Sequence, residues 1–394
     1  MTTTLTTYST TNVLLTTEVI AQINTYLEAH AQTGRFSGNV VITQGEGEGR
    51  AIARSYGQAN REHRVSNNPQ TKFRIGSVTK QLTAIAILQL QERGLLNVQS
   101  SISTYLPDYP QGDQITVHHL LTHTSGIPEY LNPALFPDFL DWMRLSTTLD
   151  QLVDRFRDLP LEFEPGERFR YGNSGYVLLT QIIETVSAQT YADYLQANLF
   201  DPLGLSNTGY EIPLTVTPDL AQGYLFLGGD TYLQTSPLDM SIPQGAGGLY
   251  STGEDLAKWN HWLFGEGSDQ AVLSDAARAM LLIPAVKMEL EKIPDAFYSY
   301  GLVLDTHLER QRIHHVGGIS GFDSALTYYP DDRLTIVVLS NLETAATGQI
   351  AEGLAAIVFE RVFKHSFKCL CHTHWQQNRN EHIQEKHWNG KYES

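Results

Sequence analysis

The chain has 394 residues, with 27 Lys and Arg against 43 Asp and Glu, a formal net charge of -16, and 41% hydrophobic residues. That length and apolar content suit one large globular domain or two ordinary ones, while the negative charge repels nucleic acid and anionic lipid at long range. The two cysteines, Cys369 and Cys371, sit one residue apart near the C-terminal end, so disulfides cannot staple the main body of the fold.

Residues 1–18 read as a polar extension without Lys or Arg, and their apolar run, Val13 to Leu15, is too short for a signal-peptide core. No stretch approaches the roughly 18 apolar residues of a membrane span. The expectation is a cytoplasmic protein with no membrane partner, or a periplasmic or secreted one whose leader has been removed. Val19, Ile20, Ile23, Tyr26 and Leu27 recur at helical spacing and predict a helix that stops at Gly34. "FSGNVVITQGEGEGRAIARSYGQA" then alternates, turns on glycines and alternates again, as a β-hairpin does.

From about 75 to 240 the pattern is mainly helical, in segments such as "LTAIAILQLQERG", "TLDQLVDRFRD" and "GYVLLTQIIETVSAQTYADYLQANLF" separated by Pro and Gly loops. Strands return in "GLYS", in "YSYGLVLDT" and in "LTYYPDDRLTIVVLSN", which turns at Pro330, Asp331 and Asp332, and "GQIAEGLAAIVFERVF" closes the region as a helix. Strands at both ends with helices between them predict an α/β fold of the α+β type. Both termini build an antiparallel sheet flanked by helices, and a mainly helical lobe is inserted into it. One domain spans 19–363, with a ligand site in the cleft between lobe and sheet.

Residues 364–394 change character and hold both cysteines and several histidines. Cys369, Cys371, His372 and His374 offer zinc- or copper-binding atoms, but Cys-x-Cys-His-x-His lacks the usual gap within ligand pairs, so no metal or other cofactor is assigned. A partly disordered tail and the opening of a truncated small β domain are the other two readings.

The chemistry of the chain concentrates in "FRIGSVTKQLTAIAILQLQERG", residues 73–94. Ser77 and Lys80 stand three apart at the head of a helix that is apolar nearly all round, hence central and buried. Such spacing puts an amine beside a hydroxyl. Burial favours the neutral amine that can take the hydroxyl proton, and the N–H groups at the helix head face any oxyanion formed there. The competing reading makes Ser77 a helix cap and Lys80 a solvated surface group.

Four further segments belong with this one: "HHLLTHTSGIPEY"; "FRYGNSGYVLLTQIIE", with Tyr171, Gly172 and Asn173; "GAGGLYSTGEDLAKW"; and "HHVGGISGFDSALTYYP", with His315, Gly317 and Gly318. In this order and at these separations, from about residue 20 to 363, they resemble the serine β-lactamase-like hydrolases. That group includes class C β-lactamases, penicillin-binding D-Ala-D-Ala carboxypeptidases, D-aminopeptidases and related esterases. The resemblance implies a β-lactamase/transpeptidase-like fold and a metal-independent serine hydrolase without cofactor. It makes Ser77 the acylated nucleophile, Lys80 its activator, Tyr171 a proton shuttle, Asn173 a ligand of the substrate amide, and His315 and Gly317 part of a strand lining the cleft. The N–H groups of Ser77 and Gly318 would form the oxyanion hole.

Tyr130, Leu131 and Asn132 repeat the Tyr-x-Asn triplet, but their flanks do not match the family as those of Tyr171 do. His315 is preferred to His314 by its spacing to the glycines. His123 reads as turn structure beside Thr, Ser and Gly, and Gly247, Gly248 and Asp255 as support for the cleft. Penicillin-recognising relatives usually carry Lys where this chain has His315, a weaker anchor for a substrate carboxylate. The expected substrates are therefore small-molecule esters or short peptide amides. The alternatives are β-lactamase turnover of penicillins or cephalosporins, and a non-catalytic ligand-binding module. No Gly-x-Ser-x-Gly pentapeptide supports an α/β-hydrolase, and nothing in the chain signals an oligomeric state.

Overall fold

A computed structural model describes residues 14–45, 50–265, 271–289, 293 and 295–359. The candidate metal ligands Cys369, Cys371, His372 and His374 lie outside the described residues. The chain opens with helix α1 (Thr17–Gln32), capped by the Thr16 hydroxyl and followed by Gly34 at a φ of +72°, the left-handed stop that glycine accepts most easily. The predicted hairpin follows as β1 (Gly38–Gln44) and β2 (Arg50–Tyr56), paired from Gly38 opposite Tyr56 to Gln44 opposite Arg50.

A two-residue strand, β3 (Phe73–Arg74), leads into α2 (Thr79–Glu92), in which every residue from Thr79 to Leu90 is buried. A helix without a polar face has to be surrounded, and α2 runs through the middle of the larger hydrophobic core with α3 (Ser174–Ser187) beside it. The middle region also contains β structure that helical spacing did not reveal. β4 (Gly209–Tyr210) pairs with β5 (Leu249–Ser251), which in turn pairs with β3, and a hairpin of Tyr224–Gly228 and Thr231–Gln234 packs back on the sheet side through Tyr224. The strand expected at "GLYS" is β5; the other segments are too short to show enough alternations to be read as strands.

After α4 (Gly253–Phe264) come β6 (Val286–Lys287), β7 (Phe297–Tyr298), β8 (Val303–His307), β9 (Arg310–Ile319), β10 (Phe322–Tyr329) and β11 (Leu334–Ser340), closed by α5 (Thr347–Val358). The large sheet has the order β6-β7-β8-β9-β10-β11-β1-β2, every neighbour antiparallel. The first hairpin therefore pairs with the last strand, and both ends of the chain build one sheet, as expected. Strand β11 shows why the sheet is covered on both faces: Ile336 and Val338 enter the core with α1 and α5, whereas Val337 and Leu339 enter the core with α2. Side chains alternate across a strand, so a strand buried on both faces reads as an unbroken apolar run.

The same alternation splits β9. Ile313, His315 and Gly317 face the helical side, and Arg312 and His314 face α5. On that back face Arg312 grips Asp305 with two hydrogen bonds, of 2.8 and 2.6 Å, and reaches Glu352 of α5 at 2.8 Å. Burial alone would push the Asp305 carboxyl up; Arg312 and His314 more than reverse this and hold it well below the usual carboxylate range. A carboxyl depressed on folding stabilises the fold at neutral pH and loses that contribution as the medium is acidified through its range. Asp305→Asn removes the doubly bonded, buried counter-charge of Arg312 and leaves it only the more exposed Glu352, and is expected to cost about 3 kcal/mol in urea unfolding at neutral pH. A loss below about 1 kcal/mol, the scale of an exposed pair, would contradict the assignment.

Candidate active site

The site begins with a turn that only a narrow set of residues can make. Gly76 sits at a φ of +49°, in the left-handed region, and a Cβ there would meet the Gly318 backbone at 3.0 Å. The chain can therefore leave β3, pass through the 3-10 turn Gly76–Val78 and enter α2 with β9 pressed against it. Gly317 completes the fit from the other side, since a Cβ there would stand 2.0 Å from the Ile75 carbonyl oxygen. Ser324 Oγ donates to that same oxygen at 2.7 Å. The turn that carries Ser77 is thereby held against the Gly317–Gly318 backbone.

Ser77 does not cap the helix, whose head has no side-chain cap, and Lys80 is not solvated: its exposure is 0%. Lys80 Nζ lies 3.0 Å from Ser77 Oγ, 2.9 Å from Asn173 Oδ1 and 2.8 Å from the Ala246 carbonyl oxygen. Burial pulls its pKa down to about 7, against a smaller upward pull from the Glu129 carboxylate. The partner set then has a chemical consequence. Two of the three partners are carbonyl oxygens, which only accept. A neutral amine spends its two N–H bonds on them and turns its lone pair toward Ser77 Oγ, the one partner that can donate.

Tyr171 stands over this pair, with its ring centroid 4.9 Å from Lys80 Nζ and 6.1 Å from the His315 ring. The rival triplet is elsewhere: Tyr130 is fully buried, its hydroxyl donating to Ile242 O at 3.0 Å, and Asn132 Oδ1 accepts from Ala134 N within a turn. His315 faces the site while His314 faces Asp305. The Nδ1–H of His315 donates to Val316 O at 2.6 Å, so its Nε2 accepts from the Tyr298 hydroxyl at 3.2 Å. Burial, with Lys80 nearby, pushes its pKa down to about 3, and the imidazole at this position is neutral.

Asn173 meets Lys80 through its carbonyl. Glu129 lies behind it, accepting from Leu131 N at 3.0 Å and from Asn173 N; burial pushes its carboxyl up, against the pull of these N–H groups and of Lys80. Nothing in "HTSGIPEY" marks Glu129, because the loop's three-dimensional path, rather than a local pattern, brings it to the site. His123 is more than a turn residue. Its backbone adopts a φ of +58°, and its ring packs 4.4 Å from that of Tyr171 and accepts from Gly172 N at 3.3 Å. Burial, reinforced by Lys80 and His315, holds its imidazole well below the usual histidine range. Gly247 and Gly248 lie in the segment that presents the Ala246 carbonyl; a Cβ on Gly248 would meet the Tyr210 ring at 2.6 Å. Asp255 accepts from Asn207 N at 2.7 Å and Thr208 Oγ1 at 3.0 Å, tying the turn before β4 to α4. Among the described residues no cluster of three or more His, Cys, Asp or Glu could hold a metal ion, and no helix is long and apolar enough to cross a membrane.

Against known proteins, residues 23–358 match the family described as Beta-lactamase. The chain is 30% identical over 338 residues to penicillin-binding protein 4* of Bacillus subtilis, covering 82% of this chain and 71% of that one. The crystal structure of a penicillin binding protein from Bacillus halodurans superposes with a TM-score of 0.70 at 30% identity, over 83% of this chain and 98% of that one. The D-amino acid amidase of Ochrobactrum anthropi shares the fold, with a TM-score of 0.73 at 21% identity over 88% and 99% of the two chains.

The contact between Gly317 and Ile75 can be tested directly. Gly317→Ala drives a methyl group into the Ile75 carbonyl and must part β9 from the Ser77 turn. Displacement on the scale of 1 Å costs about 100-fold in rate, so hydrolysis of a reporter ester is expected to fall by at least about that factor. Wild-type activity in Gly317→Ala would contradict the close approach.

Proposed function

The chain belongs to the β-lactamase family and is a serine hydrolase, and from that premise we propose that it cleaves esters or short peptide amides through an acyl-enzyme on Ser77. The observation that carries the proposal is the buried Lys80 amine 3.0 Å from Ser77 Oγ, with a pKa drawn to about 7. As Ser77 Oγ bonds to the substrate carbonyl carbon, its proton passes to Lys80 Nζ, and the carbonyl oxygen becomes an oxyanion facing the N–H groups of Ser77 and Gly318. The carbon–nitrogen or carbon–oxygen bond then breaks, and the leaving amine or alcohol takes a proton from the Lys80 and Tyr171 side. Water enters by the reverse proton route, attacks the acyl carbon and frees Ser77.

Substrate class follows from His315. A neutral imidazole whose nitrogens are taken by Val316 O and Tyr298 offers no charge to a substrate carboxylate, which a lysine at that position would. This favours substrates without a carboxylate to anchor. The names of the relatives favour a second reading, in which a penicillin acylates Ser77 and is released slowly or turned over.

Intact-protein mass after exposure to a fluorophosphonate, and separately to a penicillin, tests both readings in the wild type and in Ser77→Ala. One fluorophosphonate adduct that is absent from Ser77→Ala is expected. An adduct that persists in the variant, or none on folded wild-type protein, would overturn the assignment of Ser77. A short-chain ester or peptide amide is expected to be hydrolysed more efficiently than a cephalosporin; the opposite order would establish the β-lactam reading. Because the amine is competent only when neutral, kcat/KM is expected to rise about tenfold per pH unit below about 7 and then level off. A profile flat through that range would remove Lys80 as the base.

A further inference from the structure

The free lone pair of Lys80 depends on a choice that Asn173 cannot make by itself. An amide presents an acceptor oxygen or a donor NH2 depending on which way it is turned. With Oδ1 toward Lys80, the neutral amine donates to it and keeps its lone pair for Ser77. With the NH2 turned inward, the amide would donate to that lone pair and block the base. Something has to hold the amide in the first orientation.

Glu129 is placed to do so. Its two oxygens receive Leu131 N–H at 3.0 Å and Asn173 N–H, and the side-chain amide of Asn173 lies near enough to favour the charged carboxyl. Burial pushes the Glu129 carboxyl up, but the Asn173 and Leu131 N–H groups and the Lys80 amine pull the other way and favour the carboxylate, which only accepts. A carboxylate cannot donate to Oδ1, so it selects the Asn173 NH2 for itself and leaves the carbonyl to Lys80, 2.9 Å away. The backbone bond from Asn173 N fixes the start of α3 at the same time. Little freedom remains behind it, since a Cβ on Gly172 would meet Glu129 Oε2 at 3.2 Å.

We propose that Glu129 is a positioning residue for the Ser77 and Lys80 pair: its carboxylate locks the Asn173 amide with the carbonyl toward Lys80, and supplies the negative charge that faces this buried amine. The proposal rests on Ser77 and Lys80 being nucleophile and base. The other titratable groups around Lys80 are Tyr171, whose ring is 4.9 Å from Nζ, Tyr176 of α3, whose ring is 5.4 Å away, and the imidazoles of His123 and His315. Burial holds both imidazoles neutral at physiological pH, which leaves Glu129 as the charge that changes when it is replaced.

Glu129→Gln keeps the shape but removes the charge and the orientation rule, because a glutamine can present either donor or acceptor. Losing the negative charge, and allowing the amide to donate to the amine, both favour neutral Lys80. The low-pH limb of kcat/KM is therefore expected to move down by about one pH unit, with kcat at its plateau lowered about tenfold and KM changed less than about twofold. Glu129→Asp retains the charge but withdraws it by one methylene; its limb is expected to stay at the wild-type position while kcat falls. A residue that only held the loop would lower kcat in both variants and move neither limb. An unmoved limb in folded Glu129→Gln, or wild-type kcat in Glu129→Asp should Glu129→Gln not fold, overturns the proposal. Fluorophosphonate labelling of the same samples separates the two levels: loss of labelling at Ser77 in the wild type defeats the underlying reading, whereas labelling intact with an unmoved limb defeats only the role of Glu129.

Discussion

The structure depends on the burial of one amine. An ammonium moved out of water without compensation is unstable, and the protein can respond by pairing it, hydrating it or neutralising it. Here the amine of Lys80 is surrounded by a serine hydroxyl, two carbonyl oxygens and the faces of two tyrosines. That shell is polar enough to accommodate it and too poor in charge to keep it fully protonated. A lysine near neutrality beside a serine is a base in contact with a nucleophile, so a folding constraint and a chemical capability are one arrangement.

The rest of the fold can be understood as what keeps that arrangement dry and aligned. Helix α2 has no exposed face and therefore sits inside the molecule, which places its first turn at the boundary between the helical side and the sheet. Strand β9 closes the boundary, and glycine at 76 and 317 lets two backbones approach to a distance that side chains forbid. Behind the strand, Arg312 joins Asp305 to Glu352 and fastens β9 to β8 and α5. The two faces of β9 thus divide the labour: one carries His315 into the cleft, and the other anchors the strand that holds it.

Much of this was legible in the sequence because the relevant signals are periodic or local. The apolar run after Lys80 announced a buried helix, and the alternating segments announced the hairpins. Spacing to Gly317 and Gly318 chose His315 over His314, and strand alternation turns His315 toward Tyr298 and His314 toward Asp305. The flanks of Tyr171 separated it from the Tyr130 triplet, whose tyrosine lies in the core. What escaped were features made by tertiary contact. The short strands at 209–210 and 224–234 have too few residues to show a period. His123 reads locally as a turn, and only the fold brings its ring under Tyr171. Glu129 follows an ordinary Ile-Pro turn, and its significance comes from Asn173, which lies 44 residues further along the chain.

The central claim, that burial makes Lys80 a neutral base beside Ser77, is tested most directly by titrating that amine. Protein labelled with 13C in its lysine side chains, with the Lys80 signal identified by its loss in Lys80→Met, reports protonation without reference to any substrate. The account predicts a midpoint at about 7. A midpoint at the ordinary lysine value of about 10.4 would mean that the amine stays charged at neutral pH, and the base would have to be sought elsewhere in the cleft.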